Sequence, residues 1–504
     1  MPVRLSAESG SSRNFMNLVV ASSLLLAPTL VPPMDSCPPP SPVEAVVPEL
    51  AELKKWNDSR GDTWDPFWAD DDLLYSFNCD GYGFGPPGQN RNIAFNRFRG
   101  TEVRELAGEL VNQMDDYGRE NETGPDGATW KVCGQECIDG VFYAFVARNV
   151  YGHSTKDPWL RQTSRDSSLT KSIDRGRTWE RSAHANLAAP MWPGASFGAP
   201  GFFHYGRDGG NESRDAADKY VYALTNDGFW NGGDHYRLGR VRRSELPHLR
   251  ASDWTYFCGG DGSRDTAWSP SPADAVPVLS SDKGCGWTSP TFVRDLQCYL
   301  LVGWRIEPPL TQWFDPPRVH YSFFVAPHPW GPWEQRGAMD DSFLGGDHLY
   351  GPNAIARFQQ PTPEGVKVWI FNSGCPFGST PISAYKAIAF PVILRSRPLP
   401  KFRRIEEDAP QPSRADNVSV LIFAGNAVEL VAARTAGSGK ITVALDDREE
   451  RTIDLAQHDF AALQDIVVFR AEALSPGEHR LRVSFSRAAD RKRTYFRVAR
   501  ENLP

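Results

Sequence analysis

Carboxylates set among aromatic rings are concentrated in one stretch of this 504-residue chain. Residues 64–85, WDPFWADDDLLYSFNCDGYGFG, carry Asp65, Asp70, Asp71, Asp72 and Asp80 in an otherwise strand-forming segment. Residues 73–77 read as a short β run that Gly81, Gly83 and Gly85 then break, so the acids stand at strand ends, where side chains meet ligands. Two carboxyl groups about 5 to 9.5 Å apart can cleave a glycosidic bond, one protonating the leaving oxygen and the other acting as base or nucleophile. An apolar, aromatic setting raises the pKa of one carboxyl while a solvated neighbour stays ionised, which is the division of labour this chemistry needs. The competing uses of the same residues are a solvated turn at 70–72, a hairpin turn at Asp80-Gly81, and calcium ligation.

The elements that position these acids come from a four-part pattern that recurs between about residues 62 and 399. One copy is FGAPGFFHYG from Phe197, KYVYALTND from Lys219, YRLGRVRRSEL from Tyr236 and DWTYFCGG from Asp253. The next is WTSPTFVRD from Trp287, CYLLVGWR from Cys298, RVHYSFFVA from Arg318 and WGPWEQ from Trp330. A later copy from Leu349 shows three of the four parts clearly, and two earlier copies begin at the acidic stretch and near Gly134. Four short strands per copy make a propeller blade, and five copies of about seventy residues make a five-bladed β-propeller. Residues 102–114, EVRELAGELVNQM, have helical apolar spacing and read as a connector between the first two blades.

The innermost strands of a propeller converge on its axis, so their first residues are the candidate site. The catalytic candidates are Asp65, Asp70, Asp71, Asp80 and Glu136. Arg91, Trp230, Asp234, His235, Trp287, His348, Tyr350 and Asn353 are the candidates for holding a sugar, by ring stacking and hydrogen bonds. Asp234-His235 lies in a glycine-rich loop, and Gly-Gly-Asp-His recurs at 345–348. No HExxH-type spacing supports zinc, and Cys133 and Cys137 have no second close pair, so no cofactor is expected beyond a structural calcium.

Composition sets the frame. A net charge of -7 with no basic run argues against nucleic acid, and 16 Trp, 15 Tyr and 28 Phe alongside 43 Gly and 41 Pro describe short strands and tight turns. Arg4 and Arg13 precede an apolar run at 16–31 and a proline-rich linker at 32–42, the layout of a secretory leader, so a secreted, periplasmic or cell-surface protein is expected. Cys37 follows Met-Asp-Ser rather than a lipobox, and no later segment is long and apolar enough to span a bilayer. The seven further cysteines are an odd number, which leaves a free thiol if the rest pair. N-x-S/T sequons open at Asn57, Asn121, Asn211 and Asn417.

Three resemblances add to this reading. SIDRGRTW at 172–179 resembles the Asp-box of sialidases and related propellers, in which Asp174 would be structural. Residues 406–504 look like the jelly-roll sandwich appended to carbohydrate-active enzymes, with LSPGEH at 474–479 as a typical turn. WADDDLLYSFNCDGYGF, CIDGVFYAFVARN, FGAPGFFHYGRD, DKYVYALTND and APHPWGPWE, in this order, resemble the five-bladed family called domain of unknown function 4185, which includes endo-D-arabinanases and is similar to the arabinanase and β-xylosidase propellers. That resemblance implies that Asp70, Asp71 and Asp80 face a glycan and that Asp65-Pro66 matches the Asp-Pro carrying the general base of the arabinanase clan.

The expected organisation is therefore all-β: a leader and linker at 1–45, a propeller at 50–405 and a β-sandwich at 406–504. The expected activity is glycoside hydrolysis of a polysaccharide, arabinan-like or other, by a monomer. A polysaccharide lyase working through His235, His348, Tyr350 and Arg91, or a glycan-binding propeller without catalysis, are the alternatives.

Overall fold

The structure, a computed structural model, describes residues 41–150, 162–181, 189–210, 219–306, 319–344, 348–375, 385–405, 417–446, 448–460, 462–486, 489 and 493–499. The apolar leader, Cys37, the sequon at Asn211 and residues 345–347 of the second Gly-Gly-Asp-His lie outside them. Turns cut the β-sequence into short antiparallel strands, and five of the sheets so formed stand around one axis. Their innermost strands are Arg60–Asp62 continued by Phe67–Trp68, Thr129–Ile138, Gly201–Phe202, Thr291–Val293 and His348–Ala354. These run in one direction, as the parallel bridge between His204 and Thr291 shows, which gives the axis an entrance end and an exit end.

Polar groups knit the inner strands into a ring. His204 N–H donates to Pro290 O at 2.8 Å, Thr291 Oγ1 to Ala354 O at 2.6 Å, and Asn353 Nδ2 to Trp64 O at 3.1 Å. Between the blades the core is aromatic. Phe67, Tyr75, Phe95 and Phe142 pack blade 1 on blade 2, and Phe145, Phe202 and Trp254 pack blade 2 on blade 3.

The blade repeat read from the sequence is present, with one addition. Blade 5 takes its outer strand from the start of the chain: Ala45–Pro48 pairs with Ala387–Arg395 in the register Ala45 to Arg395 through Pro48 to Val392. The propeller thus takes in residues before position 50, and the ring is closed by a strand far from its sheet in sequence.

The helix expected at 102–114 is replaced by a 3-10 turn, Val103–Glu105, and the outer strand of blade 1, Ala107–Asn112. Val103 and Leu106 are the apolar residues that suggested a helix, and they fill a pocket beside Trp56, Trp64 and Phe98. Glu109 then faces Arg97 and Arg99 across the strand pair, so tertiary pairing overrides a helical spacing.

The C-terminal segment folds into two four-stranded antiparallel sheets that share an apolar core of Val428, Leu430, Ile466, Ile441, Val443, Leu481 and Val483. The final strand, Thr494–Ala499, lies in the middle of one sheet. These sheets dock on the closing segment. Arg470 Nη1 meets Glu49 Oε1 at 2.9 Å, Arg395 pairs with Glu472, and Lys55 Nζ donates to Asp459 O at 2.9 Å. No helix among the described residues is long and apolar enough to cross a membrane.

If the closing strand carries the ring, trimming its buried face must loosen the whole propeller. Val46, 4% exposed, faces the core, and Val46→Ala is expected to cost about 2 kcal/mol. Urea unfolding followed by tryptophan fluorescence checks this: the midpoint should fall with an unchanged slope, and an unchanged midpoint would show that the strand is dispensable.

Candidate functional site

Along the axis the side chains lie in layers. In the middle, His204 is clasped from both sides, its Nε2 2.8 Å from Asp65 Oδ1 and its Nδ1 2.8 Å from Glu136 Oε2. Ser289 donates its hydroxyl to Asp65 Oδ2 at 2.8 Å, and Cys137 N–H donates to Glu136 Oε1 at 2.8 Å. Each ring nitrogen faces a carboxylate whose other oxygen accepts from a different donor, so both nitrogens carry protons and the ring is an imidazolium. Burial opposes that charge, but the attraction of Asp65 and Glu136 outweighs it and pushes the His204 pKa up to about 10. Burial raises the Glu136 pKa while the His204 charge pulls it back down. All three side chains are at most 1% exposed, so this layer fills the middle of the axis.

The entrance end is different. Asp62 ends the first part of the inner strand of blade 1 and stands opposite Cys79 in the second strand, which puts it beside Asp80. The two strands touch through glycine: a Cβ at Gly81 would lie 2.1 Å from the Arg60 carbonyl oxygen. The backbone is strained on both sides of the contact, with Thr63 at φ 58° and Asp80 at φ 51°, and Thr63 is β-branched, the type that tolerates this region least. Lys131, near the start of the inner strand of blade 2, forms an ion pair with Asp80. From blade 5, Tyr350 donates its hydroxyl to Asp62 Oδ2, and Tyr385 hydrogen-bonds the same carboxyl.

Burial first, then the charge of Asp80, push the Asp62 pKa up to about 6, against the opposing pull of Lys131 and the two tyrosines. A carboxyl of this kind exchanges its proton near neutral pH, as a general acid or base must. Asp62 and Asp80 keep 7% and 9% exposure, Tyr350 6% and Tyr385 7%, so the cluster is nearly buried at this end of the axis. Two buried nitrogens at the same end, Trp287 Nε1 and His348 Nε2, have no hydrogen-bond partner among the described residues.

The acids of the 64–85 stretch are distributed over three levels. Asp80 is at the entrance end and Asp65 in the buried layer with Glu136. Asp70 and Asp71 are at the exit end, where both meet Arg175, at 2.8 and 2.6 Å. The structure therefore does not bring Asp70 or Asp71 to Asp80. They close the turn between the first two strands, and Tyr75 donates its hydroxyl to Asp71 at 2.9 Å. Arg175 belongs to the turn at 172–179, whose Ser172 and Asp174 side chains bond the backbone of Gly176 and Thr178 while Trp179 packs on Phe77 and Phe95.

The residues expected to hold sugar divide in the same way. Tyr350 and His348 are at the entrance end, His348 with its Nδ1 2.8 Å from Asp341. Trp230 and Trp287 stack on each other at 4.9 Å and 4°, both buried, so their faces serve the core and only the Trp287 edge is unused. Asn353 ties inner strands together, accepting from Ser289 N–H at 2.8 Å. Arg91 is on the third strand of blade 1 against Asp115 at 2.7 Å, away from the axis. Asp234 and His235 belong to the loop and third strand of blade 3, with His235 2.9 Å from Ser280 Oγ.

Asp62, Lys131, Tyr385 and His204 were missed. The Gly61-Asp62-Thr63 step before the acidic stretch was the one local signal for Asp62, because a glycine there allows φ 129°. The six cysteines with described side chains are free thiols. Glu245, His248 and Asp253 cluster closely enough for a metal, but Arg250 already occupies both carboxylates, at 3.1 and 2.8 Å.

No family model matches the chain and no curated protein does, so the resemblance to the domain of unknown function 4185 family rests on its motifs. Solved structures with some likeness include a chain from Bacteroides ovatus ATCC 8483 at 15% identity, covering 69% of this chain and 90% of that one with a TM-score of 0.42. A Bombyx mori GH32 beta-fructofuranosidase in complex with sucrose is 10% identical over 92% of this chain and 94% of that one, TM-score 0.38. An exo-beta-1,3-galactanase from Phanerochaete chrysosporium with beta-1,3-galactotriose is 10% identical over 90% and 99%, TM-score 0.37.

The His204 layer makes a signed prediction. Its raised pKa contributes stability that is complete below the ordinary histidine value near 6.5 and is lost as pH rises toward about 10. The melting temperature should fall across that window. His204→Gln leaves two buried carboxylates facing each other and should cost about 3–5 kcal/mol, with the alkaline slope flattened. An unchanged slope in the variant would remove His204 from the balance.

Proposed function

We propose that the protein is a glycoside hydrolase that works at the entrance end of its propeller axis, with Asp62 and Asp80 as the paired carboxyl groups. The observation that carries this is the Asp62 carboxyl, pushed up to about 6 beside a second carboxylate that Lys131 holds in an ion pair. In the protonated state Asp62 gives its proton to the departing glycosidic oxygen. Asp80 takes the complementary role, either accepting a proton from the attacking water or bonding the sugar carbon before water releases it. Tyr350 and Tyr385 orient the Asp62 carboxyl. The substrate class we favour is an extracellular polysaccharide of the arabinan type, in keeping with the leader and the motif resemblance.

A lyase would need a base able to take a proton from carbon. The Tyr385 hydroxyl is pushed well above the ordinary tyrosine range by burial and then by Asp62, which makes it a poor base and favours hydrolysis.

Purified protein should release reducing ends from arabinan, arabinogalactan or a related glycan without creating ultraviolet-absorbing unsaturated products. The appearance of that absorbance would assign a lyase, and neither signal would leave a binding propeller. Asp62→Asn should lower turnover about 10²–10⁴-fold while the melting temperature at pH 7 holds or rises, because ionising this buried carboxyl opposes folding above about pH 6. Tyr350→Phe removes a hydrogen bond that lowers the Asp62 pKa, so the limb of the rate profile set by Asp62 should move to higher pH. A limb that stays in place or moves lower would separate Asp62 from the reaction.

A further inference from the structure

We propose that a cavity in the outer part of blade 3 is a second binding site, for a neutral sugar unit of a glycan chain. The class of ligand rests on the glycan-handling reading above, while the cavity and its residues do not. Its volume is about 400 Å³, within the range of sites that hold small molecules. The strands outside the inner one build it: Tyr220 opens Tyr220–Asn226, Arg240 and Arg242 end His235–Arg242, and Thr255 lies in Trp254–Phe257. Trp268 completes that wall from Trp268–Ser269, which pairs with the same blade. None of these residues belongs to the Asp62 cluster.

Arg240 is the fixed element. Its side chain is 6% exposed and lies between two rings, the guanidinium carbon 4.0 Å from the centre of Tyr220 and 4.0 Å from that of Trp268. Nη2 donates to Asp265 Oδ1 at 2.9 Å and Nε to Thr255 Oγ1 at 3.4 Å. A guanidinium stacked and bonded in this way keeps one orientation, so a ligand need not order it. Arg242, which is exposed, lies over the same Tyr220 ring at 5.6 Å. Glu245 and Asp253 also line the cavity, held by Arg250 at 3.1 and 2.8 Å. The bonds from Arg250 and His248 fall on Glu245 Oε2 and Asp253 Oδ2, which leaves Glu245 Oε1 and Asp253 Oδ1 outside those bonds as acceptors.

Charge here is balanced, with Glu245, Asp253 and Asp265 against Arg240, Arg242 and Arg250. A free anion or cation gains little from such a set. A hydroxyl group gains from both signs, because it donates to a carboxylate and accepts from a guanidinium. The Tyr220 and Trp268 rings add an apolar wall for C–H groups. Hydroxyls around a ring whose faces are C–H are what a sugar presents. A polymer held here is kept near the axis, which raises its effective concentration at the entrance end.

The test is calorimetric titration of the full chain carrying Asp62→Asn, so that no bond is cut, with arabinotriose, galactotriose and xylotriose. Adding Thr255→Trp fills the cavity without removing a charge, and adding Arg242→Gln removes a donor at an exposed position. At least one triose should bind, and Thr255→Trp should weaken the cavity site about tenfold or more, so that the stoichiometry falls by one site per chain. Arg242→Gln should weaken the same site a few-fold. Melting temperatures accompany each variant, and if Thr255→Trp lowers its own, Arg242→Gln decides alone. Binding of none of the trioses, variants that bind as the Asp62→Asn chain does, or tighter binding of a trigalacturonate at this site would overturn the proposal. Release of reducing ends by the chain with native Asp62 is read separately. If it is absent while the cavity site binds, the hydrolase reading fails and this one stands.

Discussion

The imidazolium of His204, held between Asp65 and Glu136, is the contact on which the arrangement of the axis depends. Three charged groups buried to within 1% of exposure are costly unless each is paired and hydrogen-bonded. Pairing requires blade 1 to supply Asp65, blade 2 Glu136 and blade 3 His204 at one height. Ser289 extends the requirement to blade 4, and Asn353 of blade 5 bonds both the Ser289 N–H and the Trp64 carbonyl. A slip of one residue in any inner strand would turn its partner to the other face and leave a bare charge. The layer therefore selects one registration of the blades as much as it stabilises them.

Filling the axis in the middle leaves two ends with different chemistry. The strand Leu74–Gly83 sets the separation: from Leu74 to Asp80 is six steps, about 20 Å. Aspartates adjacent in the sequence map are thus on opposite faces of the propeller. At the entrance end burial and the charge of Asp80 raise the Asp62 pKa, with a single lysine beside the two acids. At the exit end the aspartates of the 70–72 turn are engaged by Arg175 or Arg357.

The sequence was informative where periodic constraint is strong and silent where contacts are long-range. Five blades could be read because each repeats the same strand and turn pattern, and the second and third strands fall where the motifs placed them. The outer strand of blade 5 could not, because Ala45–Pro48 lies more than 300 residues from Ala387–Arg395, and four residues of β-sequence carry no signal of a distant partner. In blade 2 the inner strand starts at Thr129, before the Glu136 taken as its start, so Lys131 at the entrance end went unseen. Asp62 was overlooked beside a denser acidic run whose members are needed for turns. His204, in the apolar context FFHYG, looks like any buried histidine until Asp65 and Glu136 are brought to its two nitrogens.

The entrance end also lies on a seam. Asp62 and Asp80 come from blade 1, while the tyrosines that bond Asp62 come from blade 5, the last and first blades of the ring. Thr63 holds its strained conformation, a cost of about 1–3 kcal/mol, with its N–H donated to Ser373 Oγ of blade 5 at 2.7 Å. Any opening between these two blades would separate the carboxyl from its hydroxyls and relax the strain. What prevents it is the closing strand, and the ends of that closure are gripped by the sandwich: Arg470 binds Glu49 just after the strand, and Glu472 binds Arg395 in the strand it pairs with. The C-terminal domain thus supports the geometry of the site through ring closure, without any described residue of it reaching the Asp62 cluster.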